Sequence, residues 1–510
     1  METYRLCPPM LGWSHGMQTA NEGKRMFKKS RVVTGTAVVA VLGLGGVIAA
    51  SAASGAPSTP APTPTPSAST SASSGSTDPN LYPFGAPSGG VAVKVPTPPG
   101  QPTLSPTYTT KTTTRIYGAN PYEEAVSVTQ HIWPAALPAN APNETNNVPD
   151  RPWGVTLITT DDPLTGISAV PLIHFPDDAP ILYVTKNGIP EITLNELKRL
   201  GDTGIVRPPM NNADAFLVGA AANPAVENQL KAIGMKYMTV TGSDVFQLAN
   251  NVDKLYGSIQ NPDLGVPQMG GSASSAGNGM QNVFVGSADG NDWQYYLGAT
   301  HWASHMPTGL LWSHRNSLPQ PTIDALKRRN GHALIYVWGG PSQVSASVVK
   351  QLSQYGAVQR IDADDPVAFN TPATTTPENI AVGFAKMHDP AGDVGWGILG
   401  PGHGFTLVNV NDWQGAVASA PLSHLGFHAP LLVTNNANSL PTDVEAYYQA
   451  VAPTFLNSPG EGPYNMTYAI GSWNQVTWAL QAHVDYISEM SNRRVGTNNN
   501  GGRYSDSGQP

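Results

Sequence analysis

The segment Leu334-Ile335-Tyr336-Val337-Trp338-Gly339-Gly340-Pro341-Ser342-Gln343-Val344-Ser345, continuing to Gly356, constrains the fold more than any other stretch of this chain. A continuous apolar run rich in β-branched residues is closed by two glycines and followed by apolar residues at helical spacing (Val344, Val348, Val349, Leu352), so it reads as a buried strand turning into a helix. Gly356 suits the helix end, and Ala357–Ile361 reads as the next strand. This half of a β-α-β unit recurs. Ala215–Gly219 leads to Val226, Leu230 and Gly234 and then Tyr237–Val240, while Met466–Gly471 leads to Trp473 and Val476.

The repeat extends beyond that unit. Ala179-Pro180-Ile181-Leu182, Met306–Leu311 and Ala429-Pro430-Leu431-Leu432-Val433-Thr434 stand about 120 to 130 residues apart. Asn291-Asp292-Trp293-Gln294 and Asn411-Asp412-Trp413-Gln414 precede two of them, with Asp161-Asp162-Pro163-Leu164 in the first copy. Each copy reads as strand (Val155–Thr159, Val283–Val285, Trp396–Leu399), acidic loop, small-residue helix, strand, helix after a Leu-Pro pair, strand, helix. Strands alternating with helices predict a three-module α/β protein with parallel sheets. The length of 510 residues suits about three domains.

Residues 1–31 form a basic N-terminus with Lys24, Arg25, Lys28, Lys29 and Arg31, and Val32–Ala53 runs uncharged for long enough to span a bilayer. This predicts a cytoplasmic N-terminus and a chain delivered outside. Ala50-Ser51-Ala52 also fits a signal-peptidase site, so an anchor and a cleaved signal peptide are both open. Residues 54–114 are a Pro/Ser/Thr-rich linker expected to be disordered, and stretches such as Ala61–Pro66 favour polyproline II at ~3.1 Å per residue. The folded part is expected at 115–259, 281–388 and 389–490, with a disordered tail at 491–510.

Only 12% of residues are charged and the net charge is −8, which lacks the basic stripe a nucleic-acid binder needs. The single cysteine, Cys7, excludes a disulfide framework and a cysteine metal site. Nucleophile elbows, phosphate-binding lysine loops and His-Glu-x-x-His are absent from the sequence. His301 and His305 share a helix face at i and i+4, but two ligands fall short of a zinc site, and no metal or cofactor is expected. Asp161, Asp162, Asp292 and Asp412 read first as helix caps, and also as general bases or calcium ligands at the strand ends where open α/β sheets bind ligands. Trp293, Tyr295, Tyr296, Trp302 and Trp413 are candidates for stacking on sugars, and His403 is a loop histidine.

Arg115-Ile116-Tyr117-Gly118-Ala119-Asn120-Pro121-Tyr122-Glu123-Glu124-Ala125 resembles the opening motif of cell wall-binding repeat type 2 domains, with Pro121 in place of the motif's second arginine and Glu124 in place of its threonine. Val337–Ser345 resembles the family's strand-Gly-Gly segment, and Ala179–Leu182 and Ala429–Leu432 its Ala-Pro-Ile-Leu-Leu strand. The resemblance covers essentially all of 115–490. It implies three Rossmann-like, flavodoxin-like modules in a pseudo-threefold arrangement. It also implies noncovalent binding of an anionic cell-wall secondary polymer or peptidoglycan-associated glycan. Carried over, the ligand-binding residues would be Ile181, Leu182, Leu310, Leu311, Leu431 and Leu432, with Arg115, Asp162, Asp292, Trp293, Asp412 and Trp413 around them. The expected protein is thus a membrane-tethered wall binder rather than an enzyme; a wall hydrolase or amidase using the acidic loops, or a non-binding scaffold, are the alternatives. Residues 32–510 carry a net charge of about −12, so affinity for an anionic polymer would come from local groups such as Lys327-Arg328-Arg329.

Overall fold

A computed structural model describes residues 107–136, 150–174, 178–201, 204, 212–260, 281–361, 375–426, 428–455, 458, 460 and 462–492. The basic N-terminus, the apolar run 32–53, residues 54–106 of the expected linker and 493–510 of the expected tail lie outside these residues, whereas the last part of that linker, expected to be disordered to 114, forms strands at Thr107–Thr109 and Thr113–Ile116, and Ser491–Asn492 of the tail forms another. Among the described residues no helix is long and apolar enough to cross a membrane.

The chain enters through a short hairpin, β1 (Thr107–Thr109) and β2 (Thr113–Ile116), followed by α1 (Pro121–Ile132). The first repeat then runs β3 (Val155–Thr159), α2 (Pro163–Ala169), β4 (Ile181–Val184), α3 (Glu191–Leu200), β5 (Ala215–Val218), α4 (Pro224–Ala232), β6 (Tyr237–Val240) and α5 (Val245–Gln260). The second runs β7 (Asn282–Ser287), α6 (Leu297–His305), β8 (Gly309–Ser313), α7 (Gln320–Lys327), β9 (Ala333–Val337), α8 (Ala346–Leu352), β10 (Gly356–Arg360) and α9 (Pro377–Lys386). The third runs β11 (Gly404–Asn409), α10 (Trp413–Ser419), α11 (Pro421–His424), β12 (Leu431–Thr434), α12 (Thr442–Ala450), β13 (Thr454–Phe455), β14 (Met466–Ile470), α13 (Trp478–Ser488) and β15 (Ser491–Asn492).

Three parallel sheets result, each with the same strand order: β4-β3-β5-β6, β8-β7-β9-β10 and β12-β11-β14-β2. The fourth strand of the third sheet comes from the other end of the described chain. Thr467–Ile470 pair in parallel with Thr113–Ile116, and β1 lies antiparallel on the far edge. The segment 389–490 therefore supplies three of that sheet's four parallel strands. In each repeat the fourth strand leads into a helix that leaves its own sheet and packs on the next: α5 on β8 and α7, α9 on β12 and α12, and α1 on β4 and α3. The third of these handovers returns to the first sheet.

Local sequence explains the corners. Gly339 and Gly471 take left-handed φ values of 100° and 101°, and a glutamine four residues on (Gln343, Gln475) accepts the next backbone N–H. Arginines at equivalent ends of β2 and β10 then clasp the loop. Arg115 donates to the carbonyls of Gly471 at 2.9 Å and Val476 at 2.5 Å, and Arg360 donates to those of Gly339 and Val344. Burial lowers each guanidinium to about 10, and the row of carbonyl acceptors satisfies its donors.

The inner helices α2, α6 and α10 are built from small residues because they approach closely. A Cβ on Gly166 would lie 2.3 Å from a ring carbon of Trp413. One sequence expectation is corrected here. Trp396–Leu399 is not a strand: Gly395 and Gly397 have φ of 101° and 62°, the N–H groups of Gly397 and Ile398 return to the carbonyls of Met387 and Ala385, and Leu399 is 72% exposed. The strand is β11, after Gly402.

Ile116 is fully buried in the strand that completes the third sheet. Ile116→Ala is expected to cost about 2–5 kcal/mol in denaturant unfolding. Hydrogen exchange should quicken first in β14 and α1 and last in β7 and β9.

Candidate functional site

Parallel strands are covered on both faces, and this decides where the expected ligand residues lie. Ile181, Leu182, Leu310, Leu311, Leu431 and Leu432 are 0–2% exposed, each within the second strand of its sheet. Their chemistry is packing. What they deliver to the surface is the turn that follows each strand, with exposed Lys186 and Asn187, His314–Asn316, and Asn435, Asn436 and Asn438. Arg115 is fully buried as the clasp already described, and its guanidinium lies 4.1 Å under the ring of Trp473.

The aspartates sit after the first strand of each sheet, at the C-terminal end where the strand order reverses. Asp162 caps α2, accepting from the N–H of Leu164 at 3.0 Å and from Thr165 Oγ1 at 2.6 Å. Asp161 pairs with exposed Lys186. Asp292 is not the helix cap expected of it: it opens the turn Asp292–Tyr296 ahead of α6, is buried, and accepts from Ser287 Oγ at 2.7 Å and from Arg315 through Nε at 2.7 Å and Nη2 at 2.8 Å. Asp412 caps α10 through the N–H of Gly415 at 3.0 Å. Trp293 and Trp413 are 9% and 6% exposed; Trp413 packs edge-on against Tyr183. Of the cationic run, Arg328 and Arg329 are engaged by Asp253 of α5, so this cluster is an inter-repeat ion pair rather than a free basic patch.

Asp412 meets a carboxyl the sequence reading passed over. Glu124, on the first turn of α1, is fully enclosed beside it, and a Cβ on Gly415 would fall 2.5 Å from Asp412 Oδ2 and 2.6 Å from Glu124 Oε1. Burial raises Glu124 well above the ordinary carboxyl range, and the charge of Asp412 and the hydrogen bond shared with it raise it further, against a smaller opposing pull from Arg115. Burial also raises Asp412. The pair therefore favours a proton shared between the two carboxyls and held preferentially on Glu124, which ties α1 to α10. A signal did exist. Counting four residues from the capping residues Asn120, Asp244 and Thr376 gives Glu124, Leu248 and Ile380, so a carboxyl occupies a position that is aliphatic in both sister helices.

The histidines also join repeats. His301 has both ring nitrogens within reach of Ser423 Oγ (2.6 Å) and Ser419 Oγ (3.3 Å), and burial pushes it down to about 3. His305 instead faces His428, with Nδ1 atoms 3.1 Å apart, and stacks on Trp396. His424 bonds Asp178 at 2.7 Å with His174 beside it. Among the described residues no group of three or more His, Cys, Asp or Glu side chains is placed to hold a metal ion. His403 lies in the loop before β11, its N–H donated to Asn465 Oδ1. Tyr296 and Trp302 are core residues, packed against Trp312 and Phe384 respectively.

No known family's sequence profile matches the chain, and no curated protein sequence does. Solved structures do match. Cwp6 from Clostridium difficile has a TM-score of 0.52 at 16% identity, covering 74% of this chain and 47% of its own. Cwp8 from the same organism has a TM-score of 0.51 at 15% identity, covering 74% of this chain and 52% of its own. The chain thus spans about half the length of the structures it resembles, and at this identity the likeness is one of fold.

The Glu124–Asp412 pair makes a pH prediction. With its carboxyl raised in the folded state, Glu124 keeps a proton that the unfolded chain releases above about pH 4.3, so its contribution disfavours folding increasingly as pH rises. Glu124→Gln preserves shape and a donor to Asp412. It should be more stable than the parent above that pH, by a margin growing by up to about 1.4 kcal/mol per pH unit, and equal to it near pH 4. Parallel denaturant titrations from pH 4 to 8 would show this.

Proposed function

We propose that the chain is an exported, wall-associated protein that holds a cell-wall glycopolymer noncovalently, with three Rossmann-like modules in a pseudo-threefold arrangement and the apolar run 32–53 as its membrane anchor. The observation that carries this reading is the threefold repetition of one sheet order, matched in fold over 74% of the chain by two cell wall proteins. The modules act as binders rather than catalysts. Asp292 and Asp412, the carboxylates a hydrolase would use, are 5% and 3% exposed and already engaged by Arg315 and Glu124.

In this reading the buried Ile-Leu and Leu-Leu pairs work indirectly, by fixing the turns that follow them. Those turns carry the amides Asn187, Asn316, Asn435 and Asn436, suited to a polymer's hydroxyls, beside Lys186 and Arg315, whose cations are shared with Asp161 and Asp292. The acidic balance of residues 32–510 opposes an anionic polymer at long range, so contact rather than net attraction supplies the affinity.

The test is sedimentation of the purified chain with intact cell walls and with walls stripped of secondary polymers by acid. Retention on intact walls only is expected, and equal retention on both would overturn polymer recognition. Lys186→Ala with Asn187→Ala and Asn435→Ala should weaken retention several-fold without changing the unfolding midpoint. Raising the ionic strength should weaken it only modestly, since screening removes distant repulsion together with local attraction; a collapse at moderate salt would indicate a concentrated basic site.

A further inference from the structure

Among the described residues, the third sheet carries a surface feature absent from its sisters. Tyr108, Tyr117, Trp473 and Trp478 form one aromatic cluster at the corner where β2 and β14 end, with ring centroids 5.1 Å apart for Tyr108–Trp473, 5.8 Å for Tyr117–Trp473 and 5.8 Å for Trp473–Trp478. Tyr108 and Trp478 are 44% and 50% exposed, and Tyr117 and Trp473 are half-buried. The fold does not require these rings. The second sheet builds the same clasped corner with Pro341 and Ala346 where the third has Trp473 and Trp478, and the first places Pro224 at the start of the corresponding helix. Large exposed aromatics gathered at one of three equivalent corners mark a docking surface.

The path of the chain identifies what reaches it. β1 runs antiparallel to β2 with Thr107 opposite Ile116, so the polypeptide arrives at the fold beside Tyr117, and Tyr108 belongs to the cluster itself. The twelve residues before Thr107, Val95-Pro96-Thr97-Pro98-Pro99-Gly100-Gln101-Pro102-Thr103-Leu104-Ser105-Pro106, hold five prolines and no charge. Proline-rich polyproline II segments are recognised by exposed Trp and Tyr clusters, whose faces receive the proline rings at little conformational cost. At ~3.1 Å per residue, a turn or two of such a helix covers rings spaced like these. The corner also offers an anionic polymer little: Arg115 is enclosed by carbonyls, and Lys111 pairs with Glu489.

We propose that residues 95–106 dock in cis on the Tyr108–Tyr117–Trp473–Trp478 cluster, so that the last stretch of the tether is held against the third sheet. Attachment a few residues away gives an effective concentration in the millimolar range, so an intrinsically weak contact suffices. The tether's direction of departure is then fixed by the folded part.

Double electron–electron resonance on the full chain tests this. Cys7→Ser removes the native thiol, and Thr103→Cys with Ala482→Cys, an exposed position one helical turn beyond Trp478, carries the spin labels. One narrow distance is expected, replaced by a broad distribution in the Tyr108→Ser, Trp478→Ala variant. Replacing Pro98, Pro99 and Pro102 with serine leaves every described residue unchanged and should broaden it equally. A distribution already broad in the parent overturns the proposal, as does a narrow one indifferent to both variants. A narrow distance recovered from mixed singly labelled chains would assign the surface to a second copy, and a distance narrowing only on adding soluble wall glycan would assign it to the polymer; either result overturns docking in cis. Wall retention of the parent is read separately, so failure of the glycopolymer reading leaves this outcome interpretable.

Discussion

Parallel pairing of Thr113–Ile116 with Thr467–Ile470 joins segments about 350 residues apart in sequence, and the arrangement of all three sheets depends on it. It gives β14 its second neighbour, beside β11, and it places α1 where it covers the second strand of the first sheet. The entropic cost of so long a loop rises only logarithmically with length, whereas a β14 left at the sheet edge would leave one row of backbone groups open. Arg115 couples the strand to the corner beyond it, since its guanidinium satisfies carbonyls on the Gly471–Val476 loop that would otherwise lie buried without donors. Fold completion and ring closure are thus one event.

The handover helices share a geometry and differ in their chemistry. Each is capped by a small polar side chain, and each presses its apolar face on the following repeat. α5 adds Asp253, which receives Arg328 and Arg329 from beyond α7. α1 adds Glu124, which meets Asp412 with a proton between them. α9 keeps Ile380 at that position and joins its neighbour by apolar packing. Buried ionic and proton-sharing contacts contribute little net stability against an aliphatic replacement, yet they penalise mismatched partners. Asp253 thus marks the first handover with an ion pair to the following repeat, whereas Glu124 meets Asp412 of α10 within the third repeat, whose sheet β2 completes.

The histidines fit the same logic. His174, His305, His424 and His428 bring side chains from all three repeats to one region, with Asp178 as their carboxylate partner. Burial holds His305 and His428 below the ordinary imidazole range, so both of these rings are uncharged at neutral pH.

The sequence by itself determined the local elements. The strand-Gly-Gly-helix unit at 333–352, the Ala-Pro strands, the caps Asp162 and Asp412 and most of the order of elements in each repeat follow from apolar periodicity, glycines that accept positive φ, and side chains that satisfy helix ends. It misplaced the strand of the third repeat, because the apolar residues at 396–399 look like one while Gly395 and Gly397 turn the backbone away. It could name the functional candidates but not their exposure: an Ile-Leu pair on a strand reads the same whether one face or both are covered. Which strand fills the third sheet's last place, that Glu124 faces Asp412, and that four aromatics share one corner were decided only by tertiary structure. Each of these depends on long-range pairing, and side-chain chemistry at one position carries no record of the partner, hundreds of residues away, that closes over it.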